Sequence, residues 1–199
     1  RQMCIRDRNK PAKVIVTDID DAKLARANEV ISVEEAKEKG VELIYVNTAK
    51  MDDPVDGLKA LSVDGKGFDD VFIFAPNEEM VTYGVKMLAF DGCLNFFSGP
   101  ADQEFSSRVN FYNIHYNSTH FVGTSGGNTE DMKQSIELIE SKTVNVAKIA
   151  THILGLDHAV ETTKALPELE GSKKIVYTHK KFPLTEVDKF DENLSLIHI

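Results

Sequence analysis

Short runs of continuous apolar residues alternate along this chain with stretches whose apolar positions recur at helical spacing. The first run, Lys13–Thr17, has a β-branched centre and ends at Asp18. Residues 21–30 follow, with Leu24 and Ala27, or Ala25 and Val30, at the spacing of one helical face. A second helical stretch starts at Val33 and stops at Gly40, so the segment from Ser32 to Gly40 is longer than the usual short connection. Strands are predicted at 41–46, 68–74, 92–97 and 120–123, with a helix over 80–88 between the second and third of these. Ala75-Pro76, Ser98-Gly99-Pro100 and Gly126-Gly127 break the chain after three of them. Beyond lie a helix over 129–141, a short segment at 149–154, a helix over about 157–166 and a last strand at 174–177. No internal repeat or low-complexity linker interrupts the series.

Apolar strands separated by helices imply βαβ crossovers. The predicted class is therefore α/β, a Rossmann-type parallel sheet with helices on both faces. In such sheets ligands bind beyond the strand C-terminal ends, where the loops of this chain cluster.

Composition supports a globular chain of about one ordinary domain, with 42% hydrophobic and 28% charged residues among 199. The formal charge is −9. Without the three arginines and one aspartate of the first eight residues it is about −11. A surface that acidic repels phosphate backbones, which argues against nucleic acid as a partner. No apolar run approaches the roughly 18 residues of a membrane span. Of the two cysteines, Cys4 lies in a suspect N-terminal segment and Cys93 sits in a strand-like run. One remaining thiol makes no internal disulfide, which fits a reducing, cytoplasmic setting, and a small buried thiol is its ordinary reading.

The two ends are expected to share an origin. One DNA element read on opposite strands encodes Leu194–Ile199 in one direction and Met3–Asp7 in the other. It resembles the transposase end sequence used in sequencing libraries, so residues 1–8 and 194–199 are expected to be adapter-derived and set apart from the fold. The protein's own sequence then runs from about Asn9 to Asn193, with both true termini outside it.

Asp18 carries the most chemistry. A carboxylate at the end of a Rossmann strand accepts hydrogen bonds from both hydroxyls of an adenosine ribose and repels a 2′-phosphate. Helix capping is the competing reading, since Asp18, Asp20 and Asp21 all precede a helix. Lys23 is near enough in sequence to reach the same ribose, although a solvated helix lysine is its ordinary role. The glycine-rich phosphate turn of such a unit precedes its acidic residue by roughly twenty positions, which places it upstream of Asn9.

From Lys13 to about Thr178 the chain resembles the C-terminal, cofactor-binding part of a zinc-type, medium-chain alcohol dehydrogenase. Val14–Leu24 resembles that family's second strand and following helix, with Asp18 and Lys23 in the ribose-binding places. Phe68–Pro76 and Asn95–Gly99 resemble the fourth and fifth strands, and Val122–Gly127 the sixth with its glycine turn. Ala150-Thr151-His152 resembles a family Ile-Thr-His, and Lys174 stands where a basic residue approaches the pyrophosphate. Asn47-Thr48, Phe96–Pro100 and Thr124–Thr129 are similar to the branch of L-sorbose 1-phosphate reductases.

The resemblance implies hydride exchange between NAD(H) and a sugar or polyol phosphate. Asp18 and Lys23 would meet the adenosine ribose, Ala75, Ser98, Gly99 and Thr124 the nicotinamide, and Lys174 the pyrophosphate. Residues 9–127 then form a partial NAD-binding domain lacking its first strand, and 128–193 the helices and strand returning to a catalytic domain. Catalytic residues and zinc ligands are expected upstream, so this chain is expected to be inactive alone and to hold no metal. A homo-oligomer through the edge of the strand at 120–124 is also implied. Residues 105–120 contain Arg108, His115, Tyr116 and His120, but no set there has metal-ligand spacing. Two other readings remain: a methyltransferase-like Rossmann enzyme, marked by a reversed final hairpin, and a non-catalytic nucleotide-binding or oligomerisation module.

Overall fold

The structure, a computed structural model, describes residues 11–190; the end peptides, Cys4 among them, lie outside the described residues. The chain divides into two compact units, one up to Asn128 and one from Thr129.

In the first unit, β1 (Lys13–Asp18) and β2 (Glu42–Asn47) pair in parallel, from Lys13 opposite Glu42 to Asp18 opposite Asn47. The crossover between them is helical, as parallel pairing demands. It holds α1 (Asp21–Val30) and α2 (Val33–Glu38). The long Ser32–Gly40 segment is thus a helix in its own right. Ser32 caps it by accepting from the Glu35 N–H, and Gly40, at φ +67°, ends it.

A second parallel sheet has the order β3-β4-β5, with β3 at Phe68–Ile73, β4 at Leu88–Phe96 and β5 at His120–Gly123. Between the two sheets in sequence lies α3 (Pro54–Ala60), capped by Asp53 with Pro54 in its first turn. Between β3 and β4 lies α4 (Glu78–Met87), capped by Asn77. The orders β2-β1 and β3-β4-β5 are those of a 3-2-1-4-5-6 sheet on either side of its first strand. Among the described residues, β1 and β3 each have a strand partner on one side only.

The core of this unit forms where α4 packs on the second sheet. Ile73, Val81, Val85, Leu88 and Leu94 are buried together, and Leu94 is 2% exposed. Burying a leucine so fully stabilises by about 1.5–3 kcal/mol. Gly84 lets the helix come this close, because an added Cβ would stand 2.9 Å from Leu94 and 3.0 Å from Ile73.

One boundary differs from the sequence pattern. The helix was expected to run to 88 and the strand to begin at 92, whereas α4 passes into β4 with no residue between them. Residues 88–92 form an irregular opening to the strand. Register with β3 shifts there, and Asp91 takes a left-handed φ of +59°. Gly67 seals the junction: at φ +120° its absent Cβ would lie 2.4 Å from the Met87 carbonyl oxygen. The sequence pattern also did not mark α3 or α5 (Phe111–Tyr116), which are too short to show a period.

The second unit contains α6 (Thr129–Glu140), β6 (Ala150–Gly155), α7 (Ala159–Ala165), β7 (Lys173–Tyr177) and β8 (Thr185–Glu186). β6 is central, with β7 parallel on one side and β8 antiparallel on the other. Leu154 is its fully buried side chain. The last strands do not form the reversed hairpin of the methyltransferase reading, since β6 separates β7 from β8.

Gly84→Val should overfill the core of the first unit and destabilise it by about 1–3 kcal/mol, read as a lower urea midpoint at unchanged slope. An unchanged midpoint would mean that α4 has room to move away from the sheet.

Candidate functional site

Asp18 ends β1, and its carboxylate shapes the turn that follows. Its Oδ1 accepts from the N–H groups of Ile19 at 2.8 Å and Asp20 at 3.0 Å. The capping question is settled by the next acid. Asp20, not Asp18, is the N-cap of α1, accepting from the Ala22 N–H at 2.8 Å. Among the described residues, the Asp18 Oδ2 has no hydrogen-bond partner. A half-exposed carboxylate with one oxygen holding its own turn and the other open to a donor suits a vicinal diol. Lys23 is exposed on α1, two residues past the acidic turn, and makes no ion pair among the described residues.

A network beside Asp18 was not legible in the sequence. Asn47, the register partner of Asp18, donates through Nδ2 to Asp21 Oδ1 at 2.8 Å. Lys50 Nζ meets both oxygens of the same carboxylate, at 2.8 Å and 2.7 Å. Asn47 also accepts from the Ala49 N–H, which starts the single 3-10 turn Thr48–Lys50 carrying that lysine. The hydrogen bond from Lys50, and after it that from Asn47, holds the exposed Asp21 carboxyl below its ordinary value of 3.8. A depressed folded value means the pair contributes above the unfolded carboxylate range and fades as pH falls through the folded one.

On the second sheet, the other expected residues follow strand ends. Ala75 is exposed two residues past β3, Ser98 and Gly99 follow β4, and Thr124 directly follows β5. Because these strands are parallel, the four positions share one edge of that sheet. A Cβ on Gly99 would meet nothing within 4 Å, so the backbone there is open to close approach. Phe74 and Phe97 stack edge to face beside that opening, with ring centroids 5.8 Å apart. Lys174 lies in the second unit, in β7, where its ammonium donates to the carbonyls of Glu170 and Ser172.

Other polar groups belong elsewhere. A groove between the start of α3 and α4 is lined by Asp52, Asp53, Asp56, Tyr83 and Lys86, and none of the expected residues lies in it. The hydrogen bond to Glu79 raises the Tyr83 phenol above its ordinary value. His120 pairs with Asp91 at 2.9 Å, His115 packs against Tyr116, and Cys93 is buried. Among the described residues no group of three His, Cys, Asp or Glu side chains is arranged to hold a metal ion. No helix of the described residues is long and apolar enough to cross a membrane.

A family model described as zinc-binding dehydrogenase matches residues 8–141. The chain is 54% identical over 143 residues to an L-sorbose 1-phosphate reductase of Klebsiella pneumoniae, covering 71% of this chain and 35% of that protein. It is 48% identical over 181 residues to a mannitol-1-phosphate 5-dehydrogenase of Aliivibrio fischeri, covering 91% of this chain and 43% of that protein. The chain thus spans less than half the length of these relatives. In structure it is similar to the 2R,3R-butanediol dehydrogenase of Bacillus subtilis, with a TM-score of 0.67 at 16% identity, over 84% of this chain and 44% of the other.

In an NMR titration, the Asp21 carboxyl should have its midpoint below 3.8, and Lys50→Met should raise it towards that value. A midpoint that Lys50→Met leaves in place would show that the lysine does not hold this carboxylate.

Proposed function

The chain belongs to the zinc-binding dehydrogenase family, and we propose that it is the NAD(H)-binding part of an oxidoreductase acting on a ketose or polyol phosphate. The observation that carries the reading is Asp18, at the end of the first parallel strand, with Asp20 taking the capping role and one Asp18 oxygen open to a donor. The names of the two curated relatives support the substrate class, since both act on a phosphorylated six-carbon sugar or polyol.

When bound, the cofactor gives hydride to a carbonyl carbon or takes it from a carbinol carbon. The residues of this chain bind and orient. Asp18 accepts from the two ribose hydroxyls, and its charge disfavours a 2′-phosphate, giving preference for NAD over NADP. Lys23 offers a donor to the same ribose. Ala75, Ser98, Gly99 and Thr124 line the nicotinamide end, where small side chains admit the ring and Thr124 supplies polar contacts. Proton transfer and any zinc-dependent polarisation belong to residues outside those described, so the described unit alone is proposed to bind cofactor without turning substrate over. Two copies would pair along the edge of β5 that faces away from β4, and the buried Cys93 thiol fits a cytoplasmic enzyme.

Asp18→Ala in the full-length protein should weaken NADH binding roughly ten- to a hundredfold, the range of one or two hydrogen bonds to a charged group. Titration by the rise in NADH fluorescence on binding measures this directly. An unchanged affinity would remove Asp18 from the site and the NAD assignment with it.

A further inference from the structure

The network beside Asp18 has a role that the ribose contacts alone do not require. Its one cation, Lys50, sits at the C-terminal end of β2, three residues past the strand partner of Asp18. Asp21, which Lys50 meets, lies three residues past Asp18 and is bonded to Asn47, the register partner of Asp18, so the ammonium belongs to the same strand-end cluster as a group seated on Asp18. A free ammonium there would attract a ribose 2′-phosphate and offset the repulsion from Asp18. Lys50 is not free: both oxygens of Asp21 hold it, and Asn47 fixes Oδ1.

Resting on the NAD(H) reading above, we propose that Asp21 is a positioning residue for cofactor choice, holding Lys50 off the 2′ position of the adenosine ribose. Discrimination against NADP then has two parts: Asp18 repels the phosphate, and Asp21 denies it the second counter-charge, beside Lys23, that Lys50 would supply. The ion pair is exposed on both sides, with 63% of the Asp21 side chain and 66% of the Lys50 side chain accessible. Such pairs are weak, so one substitution releases the lysine without disturbing the fold. Asp20 is the cap of α1, accepting from the Ala22 N–H, and among the described residues Lys50 pairs with Asp21 and not with it. Lys23 has no such restraint, which leaves Lys50 as the cation whose availability is set by a side chain.

The test compares NADH and NADPH binding to the full-length protein by fluorescence titration, for the unaltered form, Asp21→Asn, Asp21→Glu, Lys50→Met and the Asp21→Asn/Lys50→Met pair. Asp21→Asn should tighten NADPH roughly fivefold while leaving NADH unchanged. Asp21→Glu should behave as the unaltered protein, and adding Lys50→Met should cancel the gain; Lys50→Met alone should change neither affinity. A merely structural role would move both cofactors together. If the unaltered protein prefers NADH but Asp21→Asn leaves the NADPH to NADH ratio in place, the role of Asp21 is overturned and the NAD(H) reading stands. If the unaltered protein prefers NADPH or binds neither, the NAD(H) reading and the role of Asp21 both fall.

Discussion

Parallel strand pairing is the constraint on which the rest of this structure depends. Two parallel strands cannot be joined by a tight turn, so the chain must cross back over the sheet before each new strand, and it does so with helices. That return brings every strand to its end on the same edge. Asp18 and Asn47 therefore stand side by side although 28 residues separate them, and both face the first turn of α1. In the second sheet the same rule collects Ala75, Ser98 and Thr124 on one edge. Chemistry at these positions is a consequence of direction as much as of residue type.

The apolar runs were legible because strands of a parallel sheet read as near-continuous Val, Ile and Phe rather than as an alternating surface strand. β1, β2, β3 and β5 lie where the pattern of Val, Ile and Phe placed them. α2 was legible too, through the helical stretch from Val33 and its Gly40 stop. The start of β4 was not. Leu88, Ala89 and Phe90 continue the apolar spacing of α4, and only the backbone turn at Asp91 separates helix from regular ladder. α3 carries clear end signals in Asp53 and Pro54, but its seven residues, with Gly57 in the middle, show no periodic face.

The candidate site was readable in part for a similar reason. A strand-terminal aspartate is a local signal, and Asp18 could be singled out from its own neighbours. Finding which acid caps α1 needed backbone geometry, because three aspartates in four residues satisfy the same composition rule. The Asp21–Asn47–Lys50 network joins residues from opposite sides of a crossover, and no spacing within one segment announces it. Nothing in the lysine's own sequence neighbourhood distinguishes it from any solvated surface charge.

The direct passage from α4 into β4 bears on how this domain can vary in length. A residue inserted between Met87 and Leu88 would shift the strand by one position and turn Cys93 and Leu94 to the opposite faces of the sheet. The packed carbonyl under Gly67 leaves no slack to absorb it. The stretch from Phe97 to Asn110 carries no helix or strand, so it can lengthen or shorten without moving a ladder. Insertions and deletions among homologous chains, or in engineered versions, should therefore gather in that open connection and be absent from the helix-to-strand joint.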